Sequence, residues 1–345
     1  MAETIEEKPP HPRETVRERF FERSGKHLFL IFLAIALLAV AAVLLHSALF
    51  GPPDQDPMRT EFIVTPDEPL EEIGAQLEQE GYVKYSLAFL FAYTAARGEG
   101  SIRPGGYELS RSMDVWTIAK VLGEAPYLSW ITIPNGTRKE EIAEILTEDL
   151  GWTEVQKQEW LAAASTTSEL ADGVYYPDTY LIPSDQPPAD IAARMRGRFA
   201  EVFAPYIAEA TIQKLSWPDV VTLASLIERE AGKNDKALIA GILWNRIHKK
   251  MLLQVDATLQ YFEGKEGNWW PQPDPADKTA TSSFNTYKYV GLPPHPIANP
   301  SIESVEAVLH PAKTACLYYL HDTRGRIHCS TTYAGQKANV NLYLK

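Results

Sequence analysis

At 345 residues, with 45 acidic against 33 basic side chains and a net charge of -12, the chain can house an anchor and two compact units. It offers no basic face for phosphates, which excludes a nucleic-acid partner and leaves the acidic balance to serve solubility. The His residues do not cluster at ligand spacing and neither Cys has a motif partner, which argues against a metal hydrolase or a Ser or Cys nucleophile.

In chain order, residues 1–27 are polar, include Pro9, Pro10 and Pro12, and read as a flexible cytoplasmic tail. Leu28–Phe50 is apolar except for His46 and Ser47 and is long enough to cross a bilayer as a retained helix; a cleaved signal peptide, whose apolar core is usually shorter, is the alternative. Arg13, Arg17, Arg19, Arg23 and Lys26 precede it, whereas only Arg59 follows closely, so the positive-inside rule places the N-terminus in the cytoplasm. Everything after Gly51 is then extracytoplasmic, beginning with a stiff Pro-rich linker, 51–58.

Residues 59–126 read as a small α+β subdomain. Glu61–Thr65 predicts a strand; Leu70, Ile73 and Leu77 set a helix ended by Gly81; Ser86–Ala96 gives a second helix and Tyr107–Leu109 a second strand. Val115–Leu122 is a further short helix. Residues 127–345 read as a larger mixed α+β domain, whose start, ITIPNGTRKEEIAEIL, partly echoes FIVTPDEPLEEIGAQL as another strand, Pro turn and helix. Helices follow over Ile191–Phe203, Val220–Ala231, from Asn234 or Asp235 to Lys250, and over Ile302–Leu309. CLYYL and RIHCS predict a hairpin; a turn centred on Asp322-Thr323 sets Cys316 opposite Cys329, either bridged or as two free thiols.

The stretch VTLASLIEREAG sets Glu228 and Glu230 among apolar residues. Burial disfavours a charged carboxylate and would keep it protonated to higher pH, as a general acid requires; a solvated edge paired through Arg229 is the alternative. At about 100° per residue, Glu228 shares a face with Ala224 and Ser225, whose small side chains leave room for a substrate, whereas Glu230 points toward the side of Leu223 and Leu226.

ASLIEREAG, LWNR, LLQVDATLQY, SSFNTY, GLPPHPIANPS and HPAKT, in this order, together with GVYYPDTYLIP, resemble the YceG-like family of endolytic murein transglycosylases. The resemblance implies a single-pass inner-membrane enzyme with a LysM-like subdomain and a periplasmic catalytic domain that cuts glycan strands internally. It implies peptidoglycan as substrate, glycan polymerases such as penicillin-binding proteins as partners, a role in ending glycan elongation, and no cofactor. It makes Glu228 the catalytic acid, with Ser225 and Glu230 supporting. Asn245, Gln254, Asp256, Asn285 and Tyr287 are candidate sugar contacts, each also explicable as helix end, turn or core; Trp269 and Trp270 could stack on sugars or pack as a lid. The chain departs from the family in Gly335-Gln336-Lys337, where a His is common, and in Ser301 after Asn-Pro.

A transglycosylase needs one carboxyl, which protonates the leaving oxygen and then takes the proton of the muramyl C6 hydroxyl. A glycoside hydrolase would need a second carboxylate, for which Asp256 is the candidate, within about 10 Å of the first. A non-catalytic, membrane-anchored glycan-binding protein is the remaining alternative.

Overall fold

Helix α1 (Arg13–Phe50) runs unbroken for 38 residues, and its stretch Leu28–Phe50 is long and apolar enough to cross a membrane. The computed structural model describes residues 13–98, 100–165, 170, 172–232 and 234–344, with side chains from residue 28 onward. The expected flexible tail is corrected from Arg13: once the apolar span nucleates a helix, the Arg- and Glu-rich residues before it continue it. Residues 1–12 and the basic side chains before Leu28 lie outside the described residues.

The chain divides into two units, Met1–Tyr127 and Leu128–Lys345. In the first, β1 (Arg59–Val64) pairs antiparallel with β2 (Gly105–Ser110), Phe62 opposite Tyr107. Between them run α2 (Leu70–Gln79) and α3 (Ser86–Arg97); α4 (Val115–Leu122) follows, its first turn capped by the Asp114 carboxylate accepting from Thr117 N at 2.7 Å. Ile73 and Leu77 of α2, Phe89 and Tyr93 of α3, and Ile118 and Leu122 of α4 close over Phe62, Tyr107 and Leu109. The expected order of strand, helix, helix and strand is present.

In the second unit, β3 (Leu128–Thr132) pairs antiparallel with β4 (Thr179–Pro183). The helices are α5 (Lys139–Leu150), α6 (Glu154–Ser165), α7 (Pro188–Ile212), α8 (Trp217–Glu230), α9 (Lys236–His248), α10 (Asp256–Glu263) and α11 (Ile302–Leu309). The hairpin β5 (Tyr318–His321) and β6 (Ile327–Ser330) follows, and α12 (Tyr333–Tyr343) packs on it. Helix α8 is the central rod: Pro218 starts it, every side chain from Val220 to Ile227 is buried, and it packs against α7, α9, α10 and α11. It stops where Ala231 turns extended before Gly232, so its last turn, carrying Glu228 and Glu230, leaves the core first.

Buried polar contacts hold the chain beside the GVYYPDTYLIP stretch in place. Asp172, fully buried, accepts from Lys139 Nζ at 2.9 Å and from the Tyr261 hydroxyl at 2.5 Å, tying α5 to α10. Asn299, of the motif IANPS, donates to Thr137 O and accepts from Tyr175 N.

Candidate active site

Glu228 and Glu230 leave α8 in different directions and meet opposite environments. One oxygen of Glu228, Oε2, accepts from Ser301 N at 3.0 Å, Ser301 Oγ at 2.5 Å, Ser304 Oγ at 2.5 Å and Lys236 Nζ at 3.1 Å. Burial pushes this carboxyl up, but the serine donors and the Lys236 ammonium outweigh burial and hold it below the usual carboxylate range. Glu228 is expected from the sequence to retain a proton; its surroundings instead favour the ionised form and tie it to the start of α11. Nor do the small residues of its face make room for a substrate. Ala224 and Ser225 are fully buried, and Ser225 Oγ donates to Thr222 O and accepts from Ile297 N.

Glu230 instead borders a cleft of about 610 Å³, together with Arg246, Gln254, Asp256, Tyr287, Tyr319 and His321. The Tyr319 hydroxyl donates to its Oε2 at 2.8 Å. Burial pushes the Glu230 carboxyl above the ordinary range; the Asp256 carboxylate pushes the same way, and donation from Tyr319 and from Ala257 N opposes them. The protonated form that an acid catalyst needs is thus favoured at Glu230, two residues beyond Glu228. Asp256 is held on the cleft wall by the Tyr287 hydroxyl at 2.5 Å, and Gln254 enters with φ 53, its N–H donating to Thr286 O at 3.1 Å.

The structure thus brings together Glu230, Gln254, Asp256 and Tyr287, and sets the other expected residues elsewhere. Asn245 donates to Thr314 O and Cys316 O and borders a different cavity, on the α9 side toward Pro311 and Thr314. Asn285, wholly buried, donates to the carbonyls of Asp277, Lys278 and Ala280 and accepts from Tyr287 N, pinning the loop that delivers Tyr287. Trp270 lies 3.7 Å from the Arg229 guanidinium and donates to Glu141, a packing role outside the cleft.

Arg246, Tyr318, Tyr319, His321, Tyr333 and Gln336 line the cleft without having been singled out as sugar contacts. Tyr319 and His321 alternate with buried Leu320, a period-two signal present in LYYLH. Arg246 donates to Leu253 O at 2.5 Å and to Leu317 O at 2.6 Å, so one guanidinium braces both the segment entering α10 and the segment entering β5. Gln336, where the family commonly has a His, donates to Tyr319 O at 2.8 Å. Its helix, α12, like α10, lacks a clear apolar stripe in sequence.

Cys316 and Cys329 are bridged, their Cα atoms 5.9 Å apart. The register differs from expectation, pairing Cys329 with Tyr319. Asp322 accepts from the N–H groups of Arg324 and Arg326, and its own N–H donates to Arg326 O, so the turn spans Asp322–Arg326 and shifts the ladder.

The chain is thus a mixed α+β protein with, among the described residues, one membrane-competent helix and a cleft bordered by Glu230, Asp256 and several tyrosines. A family model described as the YceG-like family matches residues 62–342, and the chain belongs to that family. It is 30% identical over 318 residues to a protein of Bacillus subtilis named endolytic murein transglycosylase, covering 84% of this chain and 87% of that one. A Streptococcus pneumoniae protein of the same name is 29% identical over 308 residues, 79% of this chain, and the chain spans only 56% of that relative's length. A crystal structure of a yceG-like protein from Listeria monocytogenes superposes with a TM-score of 0.55 at 27% identity, covering 81% of this chain and 99% of that one.

Proposed function

We propose that the protein is a lytic transglycosylase that cuts peptidoglycan glycan strands internally, with Glu230 as its proton shuttle. The observation that carries this reading is Glu230 itself, a carboxyl that burial pushes toward its protonated form at the wall of a cleft shared with Gln254, Asp256 and Tyr287. Protonated Glu230 donates to the glycosidic oxygen as the bond to muramyl C1 breaks. The resulting carboxylate takes the proton of the C6 hydroxyl as that oxygen bonds to C1, which closes a 1,6-anhydro ring and restores the acid. The Asp256 carboxylate, oriented by Tyr287, faces the positive charge that develops at C1.

The names of the relatives support the substrate class. Leu28–Phe50 anchors the chain in the inner membrane with the N-terminus in the cytoplasm and the cleft outside it, and the β1–β2 unit serves as a LysM-like glycan holder. In that position the enzyme ends nascent strands beside the polymerases that make them, penicillin-binding proteins among its partners. Digestion of purified glycan by the full chain, read by mass spectrometry, tests the reaction. Anhydro-muramyl ends formed by wild type and not by Glu230→Gln are the expected result.

Hydrolysis is the second reading, favoured by the presence of Asp256 in the same cleft as Glu230. Reducing muramic-acid ends in that digest would select it.

A further inference from the structure

Helix α3 is apolar on both sides. Phe89, Ala92 and Tyr93 face the core of the first unit, yet Leu87 is 76% and Phe91 60% exposed. Leu87 and Phe91 lie four residues apart and share one helical face. A helix that is apolar on both sides is normally buried on both, so the exposed Leu87–Phe91 side calls for a cover. The exposed side chains form a cluster with Trp116 of α4, whose ring centroid lies 6.2 Å from that of Phe91.

This cluster joins directly onto the end of the apolar span. Phe50, its last residue, has its ring 6.0 Å from Phe91 and 5.7 Å from Trp116, stacked on the latter. Lys84, just before α3, extends its Nζ to the carbonyl of Ser47 in the last turn of α1 at 3.4 Å. The 23 residues of the span cover roughly 35 Å as a helix, slightly more than the ~30 Å hydrocarbon core of a bilayer. With the span embedded, Phe50 falls at the edge of the hydrocarbon, and the Phe91 and Trp116 rings lie within about 6 Å of it. Aromatic rings and the apolar stem of a lysine are the groups that favour the membrane–water interface.

We propose that Leu87, Phe91 and Trp116 form a membrane-docking face and that its partner is the phospholipid bilayer crossed by α1. The first unit then rests on the lipid surface instead of swinging free on the 51–58 linker. The inference rests on Leu28–Phe50 being embedded, and the experiment separates the two claims.

The full chain is reconstituted in vesicles of phosphatidylcholine and phosphatidylglycerol, carrying one introduced cysteine for an environment-sensitive fluorophore; both native cysteines are bridged and do not react. The labelled variants are Leu38→Cys in the span, Leu87→Cys in the docking face and Glu72→Cys on the exposed side of α2. The Leu87 label is expected to emit to the blue of the Glu72 label, to be quenched by lipids carrying a nitroxide near the headgroup, and to be several-fold less accessible to aqueous iodide. If the Leu38 label is quenched by deep nitroxide while the Leu87 label behaves like that at Glu72, the docking face is overturned and the anchor stands. A Leu38 label that no lipid quenches removes both. A Leu87 label shielded from iodide yet not quenched by lipid overturns the proposal in favour of a protein surface, either a second copy or another chain.

Discussion

The Tyr319 hydroxyl, 89 residues further along the chain, donates to Oε2 of Glu230 at 2.8 Å. A donor aimed at a carboxylate favours its ionised form, so this bond opposes the upward push of burial on Glu230. Tyr319→Phe removes the opposition. The alkaline limb of the pH–rate profile for glycan cleavage should then move to higher pH by about one unit, the equivalent of a single hydrogen bond to a charged group. A limb that stayed in place, or moved to lower pH, would remove Tyr319 as the group that tunes the acid.

The two glutamates of α8 should separate sharply on mutation. Glu230→Gln keeps the shape and discards the proton, and cleavage should fall by about 10²- to 10⁴-fold, the usual contribution of a general acid. Glu228→Gln should cost activity chiefly through stability. Rates measured at matched folded fraction decide the matter, and the reverse order of losses would return the catalytic role to Glu228.

Glu228 also predicts a pH dependence of stability. Its carboxyl is depressed in the folded state, so its contribution is fully present above the ordinary carboxylate pKa and is lost as pH falls through the folded value. Glu228→Gln should therefore destabilise the protein by about 2 kcal/mol at neutral pH, with the deficit shrinking on acidification below about pH 4. Urea unfolding of both proteins across that range is the measurement; a deficit that stays constant with pH would mean that the charge of Glu228 contributes nothing.

The bridge between Cys316 and Cys329 closes a loop with a sequence separation of 13 at the base of the hairpin that supplies Tyr319 and His321. Reduction should cost up to about 3 kcal/mol by loop entropy and should loosen that wall of the cleft. Activity should fall on reduction and recover on reoxidation, followed against the free-thiol count. Full activity with two free thiols would show that the hairpin holds without its staple.

The sequence made the scaffold legible wherever one period ruled. Leu70, Ile73 and Leu77 announced α2, and the unbroken apolar run of Leu28–Phe50 announced a membrane-competent helix. It did not separate Glu228 from Glu230, because both faces of α8 carry apolar residues. The small side chains at Ala224 and Ser225 signalled close packing against Ile297 and not an opening. Asn245 and Asn285 are polar residues used to hold loops, and nothing in their spacing distinguishes a carbonyl of the chain from a hydroxyl of a sugar. Tyr319 and Gln336 could not be placed in the cleft without knowing how β5, β6 and α12 return to the end of α8, a relationship of long-range packing that no local pattern encodes.

That return has a consequence for how the protein is made. Synthesis delivers Glu230 well before Tyr319, so a growing chain carries an acid whose cleft lacks a wall. If Glu230 is the proton shuttle, cutting power is gained only once the hairpin is made, and a truncation that removes the hairpin should leave Glu230 without its Tyr319 partner and glycan uncut.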